Sequence, residues 1–361
     1  MNILKIAQSC RTLVLASLFG FSASALSSNY SIYAAYVNEE IEDACLSFDN
    51  CELNLLEQAQ FESIIVSYLD EQQRLTDDGT PAHLLATLQS GEYELLAGSA
   101  KFNAGDTDVS QIEYTLNWRG IPIFEITTLQ NGLSLEDAVL SSVKTLVEEI
   151  EAQHVLHPQF LFQQVEASDY FNELSMPENV AGFYRQQMQL QQDPTRGTLV
   201  RYEHEQFPSA IIDVYVYPIV KHDYQDKQQE LMYLELSKDL QVIEAISEHR
   251  DIQSINIGEI SSIENGMVFE VQADDGVEEM YTSQYIFVQE DKFIKFSANM
   301  PAQFSDVMVQ EVMSSIAVPP PSEIMNAFRD VDRAFSTTPA QEYADESNTE
   351  DTAEVAVTAA L

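Results

Sequence analysis

His154 and His157, in the run HVLHP, are the side chains whose type and spacing come closest to a metal site. Imidazoles three residues apart can share one helix face, and neutral imidazole ligates zinc and copper. Two ligands do not make a site, and the adjacent sequence supplies no third. The plainer reading is a polar helix end, where histidine suits the negative pole of the dipole. That reading is preferred, and no metal ligand is assigned. The stretch NAGDTDVSQIE opens like a calcium loop, with Asp106, Asp108 and Ser110 at alternate positions. An EF-hand then needs glycine at its sixth position and a bidentate glutamate at its twelfth, where this chain has Gln111 and Asn117. A solvated hairpin loop is expected instead.

Signs of catalysis are equally sparse. In YEHE, Glu203 and Glu205 fall on one side of a strand and His204 on the other, so the three do not converge. No G-x-S-x-G, H-E-x-x-H, Walker loop or G-x-G-x-x-G occurs. Carboxylate pairs are so frequent here that spacing alone promotes none to general acid or base. No catalytic residue and no cofactor is therefore assigned. An enzyme would have to assemble dispersed residues, with His154, His157 and His204 its first candidates because imidazole titrates near neutrality.

Charge narrows the partners. The chain has 59 acidic and 17 basic residues, a formal net charge of −42. Such a field repels nucleic acid and anionic headgroups, and it favours divalent cations and basic proteins. Residues 1–25 read as a cleavable export leader. Lys5 and Arg11 precede a short apolar run, and Ala23-Ser24-Ala25 forms an A-x-A site. No later run approaches the length of a transmembrane helix. A periplasmic or secreted protein is expected, two units more negative without its leader. Cys45 and Cys51, in ACLSFDNCEL, then form an even pair around an Asp49-Asn50 turn, and a disulfide is expected. Closing so short a loop contributes about 2 kcal/mol.

The elements that would position any site fall into two α+β units, each an antiparallel sheet packed with helices. In the first, residues 26–165, FESIIVSYL puts Phe61, Ile64, Ile65, Tyr68 and Leu69 on one helix face. QIEYTLNWRG alternates: Ile112, Tyr114, Leu116 and Trp118 point one way, Glu113, Thr115, Asn117 and Arg119 the other. Glu113, Asn117 and Arg119 therefore mark an exposed face, read as a plain solvated surface in preference to a contact surface for a partner. Ser134 and Asp137 resemble a capping box at the head of a second long helix. In the second unit, residues 166–335, IIDVYVYPIV is apolar on both sides and reads as an interior strand covered by a helix on one side. Asn265-Gly266, Asp275-Gly276 and Glu290-Asp291 punctuate hairpins. Ser305 and Ser322 are expected to open two closing helices. From Ser336 to Leu361 the chain has acidic residues and no basic ones, and disorder is expected.

The order MPENVAGFYR, VRYEHE, DVYVYP, helix, meander and DKFIKFSANMP resembles an uncharacterised family of secreted bacterial proteins. Its layout over residues 176–318 is similar to the Mog/PsbP-like α+β sandwich. The resemblance implies a fold and a binding or assembly role, and it transfers no catalytic residue. The expectation is thus a non-catalytic exported binding or assembly module of the cell envelope, whose partner is another envelope or secreted protein. An exported hydrolase or cation-dependent enzyme with dispersed residues is the alternative.

Overall fold

The computed structural model describes residues 30–34, 45, 50–53, 57–76, 79–104, 107–248, 254–274, 276–277 and 279–337. The leader at 1–25, Asp106, Asp275 and the tail beyond 337 lie outside the described residues. Ser336 and Thr337, the first two residues of the expected tail, end the last helix.

The first sheet has five strands: β1 (Ile32–Ala34), β2 (Glu52–Leu53), β3 (Tyr93–Ala104), β4 (Thr107–Trp118) and β5 (Ile121–Asn131). The β3–β4–β5 meander is antiparallel, whereas β1 joins β3 in parallel, pairing Ile32 with Leu95. Arg119 and Gly120, both at positive φ, make the tight β4–β5 turn. The alternation in β4 sends Ile112, Tyr114, Leu116 and Trp118 into the core, each fully buried. Three helices cover them: α1 (Gln58–Thr76), α2 (Thr80–Gln89) and α3 (Leu135–Ala152). Phe61, Ile65 and Leu69 of α1 and Val143, Leu146 and Ile150 of α3 supply the facing stripes. Ser134 caps α3, accepting from the Asp137 amide at 3.2 Å. Helix α2, with Pro81 in its first turn, has too short a period to stand out in the sequence. The Cys45–Cys51 disulfide ties the chain between β1 and β2, ahead of α1.

The other face of β4 corrects an expectation. Glu113 and Asn117 are only 5% and 7% exposed, and Thr115 is buried with them. Alternation separates the two faces of a strand but does not reveal whether a face is covered. Strand β4 is interior, between β3 and β5, and both of its faces are buried.

Two short helices, α4 (Pro158–Gln164) and α5 (Tyr170–Glu173), lead to a nine-stranded antiparallel sheet. Its strands are β6 (Asn179–Val180), β7 (Phe183–Leu190), β8 (Thr198–His204), β9 (Ile211–Pro218), β10 (Ser254–Ile257), β11 (Ser261–Ile263), β12 (Gly266–Asp274), β13 (Glu279–Gln289) and β14 (Lys292–Ala298). The order is β10-β12-β13-β14-β9-β8-β7-β6, with β11 added to β12. Strand β9 is interior, between β14 and β8. Pro218 ends its pairing, as a residue without an amide donor must.

Helices cover this sheet on both faces, one more than expected. Ile212, Val214 and Val216 lie beneath α7 (Ala302–Ser315), with Met308, Val309 and Val312. Helix α6 (Gln228–Glu248) sets Met232 and Leu236 on the reverse face against Phe269, Ile286 and Phe293. Tyr217 of β9 packs there too, and its hydroxyl donates to Glu235 at 2.9 Å. The sequence showed the apolar reverse of β9, but not that α6 covers it.

The last helix, α8 (Glu323–Thr337), belongs to both units. Ile324 and Phe328 pack against the first core, and the Phe328 ring lies 6.0 Å from Trp118. Arg329 and Asp332 bind the second unit.

Candidate binding groove

The structure disperses the histidines named from sequence. His154 sits past the end of α3 at φ 54°, and His157 precedes α4, its side chain capping nothing. They do not share a helix face, because the chain turns between them. Among the described residues no group of three or more His, Cys, Asp or Glu is placed to hold an ion. Asp108 instead pairs with Lys101 across the β3–β4 hairpin at 3.1 Å. His204 is framed by Phe183 and Phe207, with ring centroids at 4.9 and 5.0 Å, and accepts from the Gln206 amide at 3.1 Å. Glu205 accepts from Tyr184 at 3.2 Å. These contacts fasten the end of β8.

Arg119 keeps the exposed edge of its turn but reaches across to the second unit. It donates to Glu92 at 2.9 Å and to the buried Asp193 at 2.6 Å. Asp193 also caps the turn before β8, accepting from the Thr195 amide at 2.8 Å.

A buried ion cluster went unseen in the sequence. Asp291, in the β13–β14 turn, accepts from Lys292 Nζ and, at 3.0 Å, from Arg329 Nη2. Arg329 also donates to Ile219 O at 2.7 Å and to Asn326 at 2.8 Å, and stacks near the Tyr224 ring. Lys292 is 0% exposed, and desolvation holds its pKa below the usual lysine value despite Asp291 beside it. Asp291 and Lys292 are fully buried and Arg329 nearly so, and their mutual bonds fix α8 to the second unit.

One turn further, Asp332 gathers the loop before α6. It accepts from Lys221 Nζ at 2.7 Å, the His222 amide at 3.1 Å and His222 Nδ1 at 2.7 Å. Those donors, Lys221 foremost, hold its carboxyl well below the ordinary carboxylate range. A depressed carboxylate adds stability above its unfolded pKa and loses it as the pH falls toward the folded one. Asp332→Asn is therefore expected to cost about 1–2 kcal/mol near neutrality. The gap to the parent protein should narrow between about pH 5 and pH 2. Urea unfolding of both proteins across that range checks it; a gap that widens on acidification contradicts the assignment.

Among the described residues, two of the recesses that open to solvent are well formed. The smaller, about 240 Å³, lies beside α4 and α5. Of its lining carboxylates, Asp169 already accepts from Asn172 through both oxygens. The larger, about 400 Å³, is a groove between α7 and the β11–β12 hairpin, over β13. Its floor is Tyr285, Phe287, Val309 and Met313; Glu264 and Asp306 stand at its rim. Tyr285 holds the helix side rigid, its hydroxyl bonding Ser305 at 2.8 Å and donating to Asp306 at 2.7 Å. Ser305 thus sits one turn inside α7, whose N-cap position is Pro301. The Ala302 amide is met by Glu270 at 2.6 Å from β12. Ser322, the other expected cap, has its hydroxyl buried without a partner. At Ser305 a tertiary bond to Tyr285 takes the place of capping, whereas Ser322 does open α8, accepting from the Asn326 amide through its carbonyl at 3.1 Å, without a side-chain cap.

Among the described residues no helix is long and apolar enough to cross a membrane. No family model and no curated protein matches the chain. Among solved structures, it is similar to the solution structure of cyanobacterial PsbP (CyanoP) from Synechocystis sp. PCC 6803. The match covers 40% of this chain and 92% of that one, at 10% identity and a TM-score of 0.25. That likeness is weak, and the description of this protein as α+β with two helix-packed sheets rests on its own strands.

Proposed function

We propose that this is a non-catalytic exported module that binds or helps assemble another protein of the cell envelope. The observation that supports it is the groove beside α7, an apolar floor with a polar rim, built on rigid elements and open at the surface. Export through the leader at 1–25, periplasmic or secreted residence and the Mog/PsbP-like assignment of residues 176–318 are parts of this proposal. Co-purification of the mature protein from its own envelope tests it. A protein retained by the parent chain should be lost from Ile263→Asp, which places a charge at the groove's edge.

One contact favours the alternative of a dispersed hydrolase or cation-dependent enzyme. His222 meets the Asp332 carboxylate at 2.7 Å, the orienting half of a general-base pair. Asp332 is also occupied by Lys221 and the His222 amide, which marks a structural latch. Hydrolysis of an ester or peptide substrate that disappears in His222→Gln and survives Ile263→Asp would establish the enzyme. Absence of turnover together with groove-dependent retention would establish the module.

A further inference from the structure

Taking the binding-module reading as its basis, we propose that the α7 groove receives a lysine- or arginine-bearing segment of the partner protein. None of the groove's lining residues is basic, while two carboxylates line it, Glu264 from the hairpin tip and Asp306 from the first turns of α7. Neither carboxylate has a cationic partner among the described residues. Asp306 is aimed by the Tyr285 hydroxyl on Oδ1, which leaves Oδ2 as an acceptor at the rim. Met313 and Ile263, the accessible apolar residues of the lining, offer surface to the methylene stem of a long cationic side chain above the buried Phe287 and Val309. Gln310, Asn265 and Ser314 add neutral polar groups that suit a peptide backbone.

The whole-chain field acts in the same direction. At a net charge of −42, an acidic segment is repelled and a basic one is drawn in and oriented. Two carboxylates, one from the hairpin and one from α7, give a divalent cation too few ligands to be held alone. They suffice for one ammonium or guanidinium whose stem lies on the floor, because a charge-assisted hydrogen bond needs only one well-placed oxygen.

The test uses the mature chain and a labelled short peptide of alternating leucine and lysine, followed by fluorescence anisotropy at about 0.15 M salt. Peptides with serine or glutamate in place of lysine are the comparators. The lysine peptide is expected to bind, and Glu264→Gln with Asp306→Asn should weaken it at least about tenfold. Glu125→Gln with Glu151→Gln removes the same charge from the first unit and should change affinity less than twofold. Equal losses from both pairs would show general attraction to an acidic surface and overturn the proposal. Serine peptide binding as tight as lysine peptide would also overturn it, while leaving the groove as a binding site. If no peptide binds but Ile263→Asp still releases the co-purified protein, the cationic segment alone is refuted. If that release fails too, the binding-module reading falls with it.

Discussion

Asp291→Ala is expected to lower the unfolding free energy by about 3–5 kcal/mol, measured by urea denaturation near neutral pH. Asp291 is fully buried between Lys292, also at 0% exposure, and Arg329. Its removal strands two cations in a medium that solvates them poorly, which costs far more than the pair contributed. It also severs the tie through which α8 joins the second sheet to the first core. Replacing all three side chains by leucine or methionine should recover most of the loss, because the desolvation of the whole cluster disappears. A single-substitution loss under about 1 kcal/mol would mean that solvent reaches the cluster.

Gly197→Ala is expected to cost about 3–5 kcal/mol, from two sources that add. Gly197 follows the short 3-10 turn before β8 at φ 59° and ψ −119°, where an L side chain is strained. A Cβ there would lie 2.0 Å from Val216 O and 2.8 Å from Tyr217 Cα, both backbone atoms of β9. The central strand would have to move. Gly91→Ala is the control: φ is 75°, but nothing lies within 4 Å of the added methyl, so about 1 kcal/mol is expected. Equal losses at the two positions, in the same urea experiment, would show that the approach of Gly197 to β9 is looser than described.

What the sequence reveals here is what repeats at short range. The alternation of β4, the face of α1, the capping box at Ser134 and the Glu290-Asp291 turn all lie within single windows, and all are present in the fold. The stretch IIDVYVYPIV was legible as a buried strand because neither of its sides is polar enough to face water. The contacts that decide the molecule's organisation span longer distances. Arg329 meets Asp291 from 38 residues away, and His222 meets Asp332 across 110. Neither pair leaves a periodic trace. Glu113 and Asn117 show the converse: their polarity read as exposure, yet a central strand buries short polar groups along with its apolar ones. The groove is invisible for the same reason, since its hairpin rim and its helix rim come from separate elements, and only the fold brings Glu264 and Asp306 to one recess.

Site-specific photocrosslinking in the native envelope tests the binding role most directly. A photoreactive side chain is placed at Ile263, at the groove's edge, and separately at Thr127 on the exposed side of β5. The proposed role requires one discrete protein adduct from position 263, absent at position 127 and diminished by Asp306→Asn. Equal adducts at both positions, or none at either, would contradict it.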